Sequence, residues 1–292
     1  MIRIGIIGAD STHAVAFTEQ LTNALNPYHV PGGEVIGFYS AEPSIDQERK
    51  KDIEKKLIHQ YGLVQLASFP QMADRCDAFL LLTVHPYEKQ AQLKGLLNYN
   101  KPVFIDKPIS LTAAEAIQLE RLSHKAKTPI MSSSALRFVT AFENFKNTYT
   151  QTEEAIQFNG PLLFHSSIPG YFWYGIHLAE MVVSLMGGLP EELSVKRNGG
   201  REIVECVYNH QLVRMVFENR GDEPFSLKLN NRTIPLASGS EPIYTGLLKN
   251  IMAFFQTGHS TVPFEETIDV MRMLESMNKQ SEAYARFSAN KD

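Results

Sequence analysis

Short apolar runs alternate with amphipathic stretches over the first 125 residues. The apolar runs lie at residues 2–7, 35–39, 63–67, 78–83 and 103–105, with a brief sixth run at 130–131. Such runs are typical of strands buried in a parallel sheet, and the stretches between them predict helices. The best-marked helix begins at Thr112, because its hydroxyl and Glu115 have capping-box spacing. Right-handed crossovers then predict a doubly wound parallel sheet with ligands at the carboxyl ends of its strands.

After residue 137 the pattern changes to strands joined by tight turns. We predict helices at 138–149 and 175–186, a strand at 162–167, and further strands between 193 and 234. The turn-forming sequences are Asn198-Gly199-Gly200, Asn209-His210 and Asn230-Asn231. Two helices, at 243–257 and 265–285, follow, the first with Gly258 as a left-handed cap. The sequence thus predicts an α/β protein divided at 1–125 and 126–292, whose C-terminal α+β domain has a mostly antiparallel open sheet.

Composition indicates a globular protein and excludes several partners. A chain of 292 residues, 43% hydrophobic and 21% charged, suits two globular domains. The net charge of −4 gives no broad basic field, so we expect no nucleic acid partner. Cys76 and Cys206 lie far apart, which favours neither a disulfide framework nor a thiolate metal site and suits the reducing cytoplasm. No export leader or bilayer-length apolar stretch is visible, so we expect no membrane partner.

The turn after the first apolar run is a candidate dinucleotide-binding loop. Residues 5–13 read G-I-I-G-A-D-S-T-H. In the G-x-G-x-x-G pattern of Rossmann-like sheets, Gly8 takes the first glycine position, Asp10 the second and His13 the third. A carboxylate at the second position repels pyrophosphate if it points inward, so we expect altered or weakened binding, although Asp10 can instead cap the helix. An ordinary strand-turn-helix stays open; the candidate cofactor-binding residues are Gly8, Ala9, Asp10, Ser11 and Thr12.

The end of the second strand bears on the choice of cofactor. The acidic residue that binds the adenosine ribose is expected there, and the run 35–39 ends instead at Ser40. A hydroxyl tolerates a 2′-phosphate better than a carboxylate does, yet no arginine follows to bind that phosphate. Glu42 is close enough along the chain to reach back to the ribose. NAD and NADP therefore both stay open as cofactors, with their binding in doubt because of Asp10 and Ser40.

The run 101–110, K-P-V-F-I-D-K-P-I-S, is a buried strand that leads into an acid, a lysine and a proline. Asp106-Lys107-Pro108 resembles the E-K-P signature of Gfo/Idh/MocA family oxidoreductases. The resemblance implies that Asp106 orients the site and that Lys107 lies near the nicotinamide and the substrate hydroxyl, where a desolvated lysine can transfer a proton. Thr83 and His85 end the preceding strand, where this family lines its cofactor cleft. The alternative is a surface lysine after a strand.

A second signature of this family is D-x-G-x-H-x-x-D at a helix start. Residues 173–180 read W-Y-G-I-H-L-A-E, so Gly175 and His177 match, Glu180 is a close substitute and Trp173 departs. The resemblance implies that His177 accepts the substrate proton. The loss at Trp173 matters because a carboxylate beside a histidine holds its tautomer and charge. A histidine satisfied in the core is the alternative.

Substrate-binding candidates surround this histidine. Trp173 and Tyr174, with Tyr171 and Phe172, form an aromatic cluster that can stack on a sugar ring or pack between domains. Arg137 matches the arginine that follows the sixth strand in the family. It can bind substrate carboxylate or hydroxyls, or form an interdomain ion pair. No spacing of His165, His210 and His259 suggests a metal triad, so we assign no metal.

The sequence supports two main hypotheses of function, and a third, a lyase or isomerase that uses a bound cofactor without net redox change, also stays open. The first is an NAD(P)-dependent dehydrogenase or reductase that transfers hydride between a nicotinamide and a sugar, polyol or related hydroxy compound, with Lys107 and His177 as catalytic residues. The second is a redox-inactive ligand-binding or regulatory protein on the same fold, motivated by the departures at Asp10, Ser40 and Trp173.

The open face of the second sheet suggests self-association. Apolar residues alternate along two neighbouring strands: Val204, Cys206 and Tyr208, then Val213, Met215 and Phe217. In the family such a face packs against another subunit, so we expect a homo-dimer or homo-tetramer. The alternative is that this face packs only on the domain's own helices.

Overall fold

A computed structural model describes residues 1–40, 44–151, 154–218, 220–237 and 241–281. The chain divides into two compact units. Unit 1 comprises residues 1–110, 114–133 and 244–264, and unit 2 comprises 111–113, 134–243 and 265–292. The sequence-based division at 125/126 falls short of the contact boundary at 133/134, because the short run at 130–131 forms a strand of the first sheet. No helix among the described residues is long and apolar enough to cross a membrane.

Unit 1 is a doubly wound parallel sheet, as predicted. Its strand order is β3-β2-β1-β4-β5-β6, with β1 Ile2–Ile7, β2 Gly33–Tyr39, β3 Val64–Gln65, β4 Ala78–Leu81, β5 Val103–Asp106 and β6 Ile130–Ser133. The central strands are buried along most of their length, with Ile6, Leu80 and Phe104 fully inaccessible. Strands β3 and β4 are shorter than their apolar runs. Strand β3 lies at the sheet edge with both residues exposed, and β4 ends at Leu81, before Thr83.

Helices connect these strands, and local sequence fixes where several of them begin. They are α1 His13–Thr22, α2 Gln47–His59, α3 Phe69–Arg75, α4 Pro86–Leu96 and α5 Ala113–Ala126. Asp46 caps α2 by accepting from the Arg49 N–H, and Ser68 caps α3 by accepting from the Gln71 N–H. Helix α5 starts at Ala113, directly after Thr112, where the sequence predicts a helix start.

Unit 2 contains a mixed sheet, mostly antiparallel as predicted, with strand order β12-β11-β7-β10-β9-β8. Its elements are α6 Thr140–Thr148, β7 Ile156–Pro161, α7 Ile176–Met186, β8 Glu192–Asn198, β9 Arg201–Tyr208, β10 Gln211–Glu218, β11 Ser226–Leu229, β12 Arg232–Pro235 and α9 Phe264–Gln280. Strand β7 pairs parallel with β10. The strand predicted at 162–167 is wrong, since β7 ends at Pro161. The predicted continuation of the last helix to 285 lies outside the described residues.

Helix α8, Thr245–Thr257, belongs to unit 1 although it follows the second sheet in sequence. Leu247, Leu248 and Ile251 are buried, and Thr245 Oγ1 donates to Gln20 Oε1 of α1 at 2.9 Å. Gly258 ends the helix with φ +72°, which confirms the predicted left-handed cap. Unit 1 therefore needs a segment far from its other parts in sequence.

The apolar face of the second sheet, which the sequence predicts to contact another subunit, is buried within the chain itself. Val204, Cys206, Tyr208, Val213, Met215 and Phe217 are all buried within the single chain. The alternative of packing inside the domain is therefore confirmed for these side chains, because α7 lies against β7 and β10. On the opposite face Glu205 pairs with Lys196 at 2.5 Å and with Arg214 at 2.9 Å, in a row across three strands.

Candidate functional site

The turn after β1 brings the chain close to β4. Gly8 has φ +91°, and its N–H donates to Tyr39 O at 2.9 Å. A β-carbon at Gly8 would lie 2.4 Å from both the backbone nitrogen and Oγ1 of Thr83. A side chain is thus excluded by backbone conformation and by space. Thr83 Oγ1 in turn donates to Gln92 Oε1 of α4 at 2.6 Å.

Asp10 joins three loops at the carboxyl edge of the sheet. Its side chain is 3% exposed, Oδ1 accepts from Val84 N at 3.1 Å, and Oδ2 accepts from Ser44 Oγ at 3.2 Å. Burial raises the pKa of this carboxyl above its usual value, against the effect of these hydrogen bonds. The interpretation of Asp10 as a helix cap is wrong. Helix α1 follows Thr12, which makes no side-chain cap, and the Ser11 hydroxyl accepts from His13 N at 3.2 Å.

His13, at the third glycine position, pairs with the signature acid. Its Nδ1 lies 2.8 Å from Asp106 Oδ2, and the side chains are 17% and 8% exposed. The ring stacks on Phe17 at 5.4 Å and meets the edge of Tyr244 at 4.9 Å between centroids. Asp106 Oδ1 also accepts from Lys107 N at 3.0 Å. The pair therefore connects the loop after β1 to the loop that carries Lys107.

Lys89 is a site residue that the sequence did not reveal. It is 1% exposed, and its Nζ donates to Asp106 O at 2.7 Å and Pro108 O at 3.0 Å. Burial lowers the pKa of Lys89 to about 8, with Asp106 partly opposing the shift. Burial alone would raise the pKa of Asp106, but His13, Lys89 and Lys107 outweigh it and hold that pKa at about 2. The buried ammonium fixes the backbone on both sides of Lys107.

His85 and Ser40 have partners of their own. His85 precedes α4, and its Nδ1 accepts from Glu88 N at 3.4 Å, so the ring acts as a helix cap. Ser40 directly follows β2, and its hydroxyl donates to Glu54 Oε1 of α2. Glu42 lies outside the described residues.

In unit 2, His177 stands at the start of α7 among aromatic rings. Its Nδ1 lies 2.7 Å from Ser134 Oγ, and the edges of Tyr174 and Phe225 face it at 5.5 and 5.6 Å between centroids. Tyr171 is a core residue that bonds Glu202 and packs on Phe217. Phe172 is also buried. Of the aromatic cluster only Trp173 and Tyr174 are partly exposed.

Arg137 sits in an ion-pair network inside unit 2. It is 3% exposed, its Nε donates to Glu180 Oε2 at 2.8 Å, and its Nη1 donates to Glu266. Burial alone would lower the pKa of this guanidinium, but the two carboxylates raise it. The interdomain interpretation is wrong, because all three residues belong to unit 2. Among the described residues, Arg137 Nη2 is buried without a hydrogen-bond partner.

Residues 2–133 match the model of a family described as "Oxidoreductase family, NAD-binding Rossmann fold", the Gfo/Idh/MocA family. Residues 2–133 belong to the Gfo/Idh/MocA family. The match includes the Gly8 turn and Asp106-Lys107-Pro108, so the resemblance inferred from these motifs is confirmed.

Solved structures extend the likeness to almost the entire chain. A dehydrogenase (MviM) from Clostridium difficile has 16% identity and a TM-score of 0.74, with 96% of this chain and 99% of that chain covered. A UDP-N-acetylglucosamine 3-dehydrogenase, GnnA, from Acidithiobacillus ferrooxidans has 11% identity and a TM-score of 0.76, with 97% and 98% covered. At such identities the likeness shows a common fold. A search of curated protein sequences finds no match.

The residues of the Gfo/Idh/MocA segment fit a dinucleotide at the Gly8 turn. Gly8, with φ +91°, allows the tight turn that the first glycine of the pattern provides. Asp10 directs both carboxylate oxygens to protein donors. Beside Thr83, Gln92 is 5% exposed, and its Nε2 has no partner among the described residues, which leaves a buried donor for a ligand. Within that same part of the chain, no three His, Cys, Asp or Glu side chains group as a metal site.

Proposed function

We propose that this chain is an NAD(P)-dependent oxidoreductase that transfers hydride between a nicotinamide and a sugar, polyol or related hydroxy compound. The observation that carries the proposal is the cluster of His13, Asp106, Lys107 and Lys89 at the carboxyl ends of β1 and β5. This is the end of a doubly wound sheet where ligands bind. The nicotinamide would supply the hydride chemistry, and the protein binds, orients and handles the hydroxyl proton.

Lys107 is the proton-transfer residue of unit 1, and the paired Asp106 and the Lys89 ammonium fix its backbone. His177 is the proton acceptor of unit 2, and Ser134 positions its ring. The dinucleotide is held by the cofactor-binding candidates, namely Gly8, Ala9, Asp10, Ser11, Thr12, Ser40, Thr83, His85 and Asp106.

Arg137 indicates an uncharged substrate. Because Glu180 and Glu266 together outweigh its single positive charge, this group has no surplus charge with which to attract a substrate carboxylate. Its buried Nη2 remains a donor suited to a hydroxyl. Trp173 and Tyr174 add partly exposed aromatic surface for a sugar ring. The likeness to a UDP-N-acetylglucosamine 3-dehydrogenase supports a sugar-related compound.

The first test is calorimetric titration of NAD, NADH, NADP and NADPH into the purified protein, followed by a screen of sugars and polyols for NAD(P)H formation. We expect one nucleotide pair to bind. Lys107→Ala and His177→Ala should each lower turnover by about a hundredfold or more without unfolding the protein. Lys94→Ala, an exposed lysine on α4, is the control. Unchanged rates in both active-site variants would remove these residues from the mechanism.

The competing proposal is a redox-inactive ligand-binding protein. Asp10 at the second glycine position, the engaged Ser40 hydroxyl and Trp173 in place of an acid favour it. It predicts that none of the four nucleotides binds, or that one binds without any substrate-dependent change in redox state. Reproducible NAD(P)H formation would eliminate it.

Assembly and compartment are further proposals. We propose a homo-dimer or homo-tetramer, supported by the half-buried apolar residues Ile203, Val207 and Leu212 on the outer face of the second sheet. Light scattering that gives a monomer at micromolar concentration would contradict it. We propose the cytoplasm as compartment, supported by Cys76 and Cys206, which are both free and buried.

A further inference from the structure

A carboxylate from α2 reaches the end of β2, where the sequence motif has none. Ser40 follows the last residue of β2, Tyr39, whose carbonyl accepts from Gly8 N at 2.9 Å. This strand end is therefore next to the glycine turn. The Ser40 hydroxyl donates to Glu54 Oε1, so Glu54 stands where a strand-end acid would otherwise lie.

Packing of α2 fixes the position of Glu54. Within unit 1 the helix buries Lys50, Ile53 and Leu57, and Glu54 borders this face with its side chain 21% exposed. Lys50 Nζ lies 3.9 Å from Oε1, the oxygen that also accepts from Ser40. Among the described residues, Oε2 of Glu54 accepts no hydrogen bond. Ser40 thus anchors Oε1, and none of the described residues occupies Oε2.

The chemistry of the adenosine ribose suits such a group. In doubly wound sheets an acid at the end of the second strand accepts hydrogen bonds from the ribose hydroxyls, whereas the 2′-phosphate of NADP would be repelled by it. We propose that Glu54 supplies this carboxylate from α2, binds the adenosine ribose and selects NAD over NADP. The proposal rests on the proposed cofactor function and specifies which cofactor is used.

Among the described residues, Lys50 is the cation that pairs with the Glu54 carboxylate. It is 4% exposed and already lies beside Glu54, so it is poorly placed to receive a solvent-facing 2′-phosphate. The other acid near this strand end in sequence is Glu42. An effect at Glu42 instead of Glu54 is the rival outcome of the test.

The experiment is calorimetric titration of NAD and NADP into the full-length protein and its Glu54→Gln, Glu54→Asp, Glu42→Gln and Asp52→Asn variants. Glu54→Gln keeps an oxygen for the Ser40 hydroxyl but removes the charge. We expect NAD to bind this variant about tenfold more weakly, the loss of one charge-assisted hydrogen bond, and the NAD-to-NADP preference to fall at least as much. Asp52→Asn, an exposed acid on the same helix, should leave both affinities unchanged, as should Glu42→Gln.

Glu54→Asp keeps the charge and should retain the preference for NAD, which guards against a folding defect in Glu54→Gln. Thermal unfolding checks that each variant is folded. An unchanged NAD-to-NADP ratio in Glu54→Gln, a wild-type preference for NADP, or an effect confined to Glu42→Gln would overturn the proposal while leaving the oxidoreductase function intact. If the wild-type protein binds neither nucleotide, the proposed function itself fails.

Discussion

At the scale of single residues, Gly8 and Gly62 share a positive φ but differ in the space around them. Gly8 has φ +91°, and a β-carbon added there would lie 2.4 Å from the Thr83 backbone nitrogen, whereas Gly62 has φ +65° with nothing within 4 Å. Gly62→Ala should cost about 1 kcal/mol for the left-handed backbone alone. Gly8→Ala should cost about 2–5 kcal/mol, because overpacking adds to that strain. Urea unfolding measures both, and equal costs would contradict the close approach.

Lys89 provides a prediction about pH. Its pKa is about 8 in the folded protein and 10.5 in an unstructured peptide, so between these values the unfolded chain binds more protons. The penalty of burying the ammonium is full below pH 8 and disappears as pH rises towards 10.5, while the neutral amine keeps two donors for its two carbonyls. Wild type should therefore gain stability relative to Lys89→Met across this window, by a few kcal/mol as an order of magnitude.

Urea unfolding of both proteins at about pH 7, 8.5 and 10 measures this difference, in which other titrating groups cancel. Lys94→Met, an exposed lysine on the same helix, should show no such trend relative to wild type. A constant difference between wild type and Lys89→Met would mean that Lys89 titrates normally.

The sequence predicts some of these residue roles but not their partners. The roles of Gly8 and Lys107 follow from local motifs, each at the end of a single strand. Asp10 and His13 do not, because their partners Val84 and Asp106 lie 74 and 93 residues away. Position in the glycine pattern alone predicts repulsion or capping for Asp10, and both depend on where the carboxylate points.

At the scale of elements, Arg137 ties together three parts of unit 2. It lies in the 3₁₀ helix Ala135–Phe138, Glu180 in α7 and Glu266 in α9. Arg137→Met would remove the cation that pairs with the buried Glu180, and we expect a loss of about 3–5 kcal/mol. Arg272→Met removes exposed pairs with Glu265 and Asp269 in α9 and should cost at most about 1 kcal/mol. Chemical denaturation followed by fluorescence measures the free energy of unfolding of both variants. Similar losses would show that the buried Arg137 network stabilises the protein no more than an exposed ion pair does.

The strands of the two units differ in how clearly the sequence predicts them. The parallel strands of unit 1 are continuous apolar runs because both faces are covered, so their positions follow from hydrophobicity. Strand β7 alternates buried Ile156 and Phe158 with half-buried Gln157 and Asn159 and ends in Gly160-Pro161, a sequence that resembles a turn. The run that follows it is more apolar and therefore has the stronger strand pattern. Pairing with β10 and β11 makes residues 156–161 the strand, and the sequence does not display this pairing.

Unit 1 is assembled from three separate segments of the chain. Besides the buried face of α8, Tyr244 contacts both His13 and Phe17 through its ring. The glycine turn and the His13–Asp106 pair thus depend on a segment more than a hundred residues beyond β6. Family matching over residues 2–133 cannot include this support.

A fragment of residues 1–133 should therefore fold poorly by itself. Without α8 it exposes the apolar surface that Leu247, Leu248 and Ile251 cover, and it loses the hydrogen bond from Thr245 to Gln20. Joining residues 243–264 to the fragment through a Gly/Ser linker of about 20 residues should restore a cooperative urea transition, since such a linker allows docking without imposing a geometry. The same fusion with those three residues changed to serine is the control. If 1–133 alone unfolds as cooperatively as the fusion, α8 is an accessory to this unit and its role in supporting His13 must be abandoned.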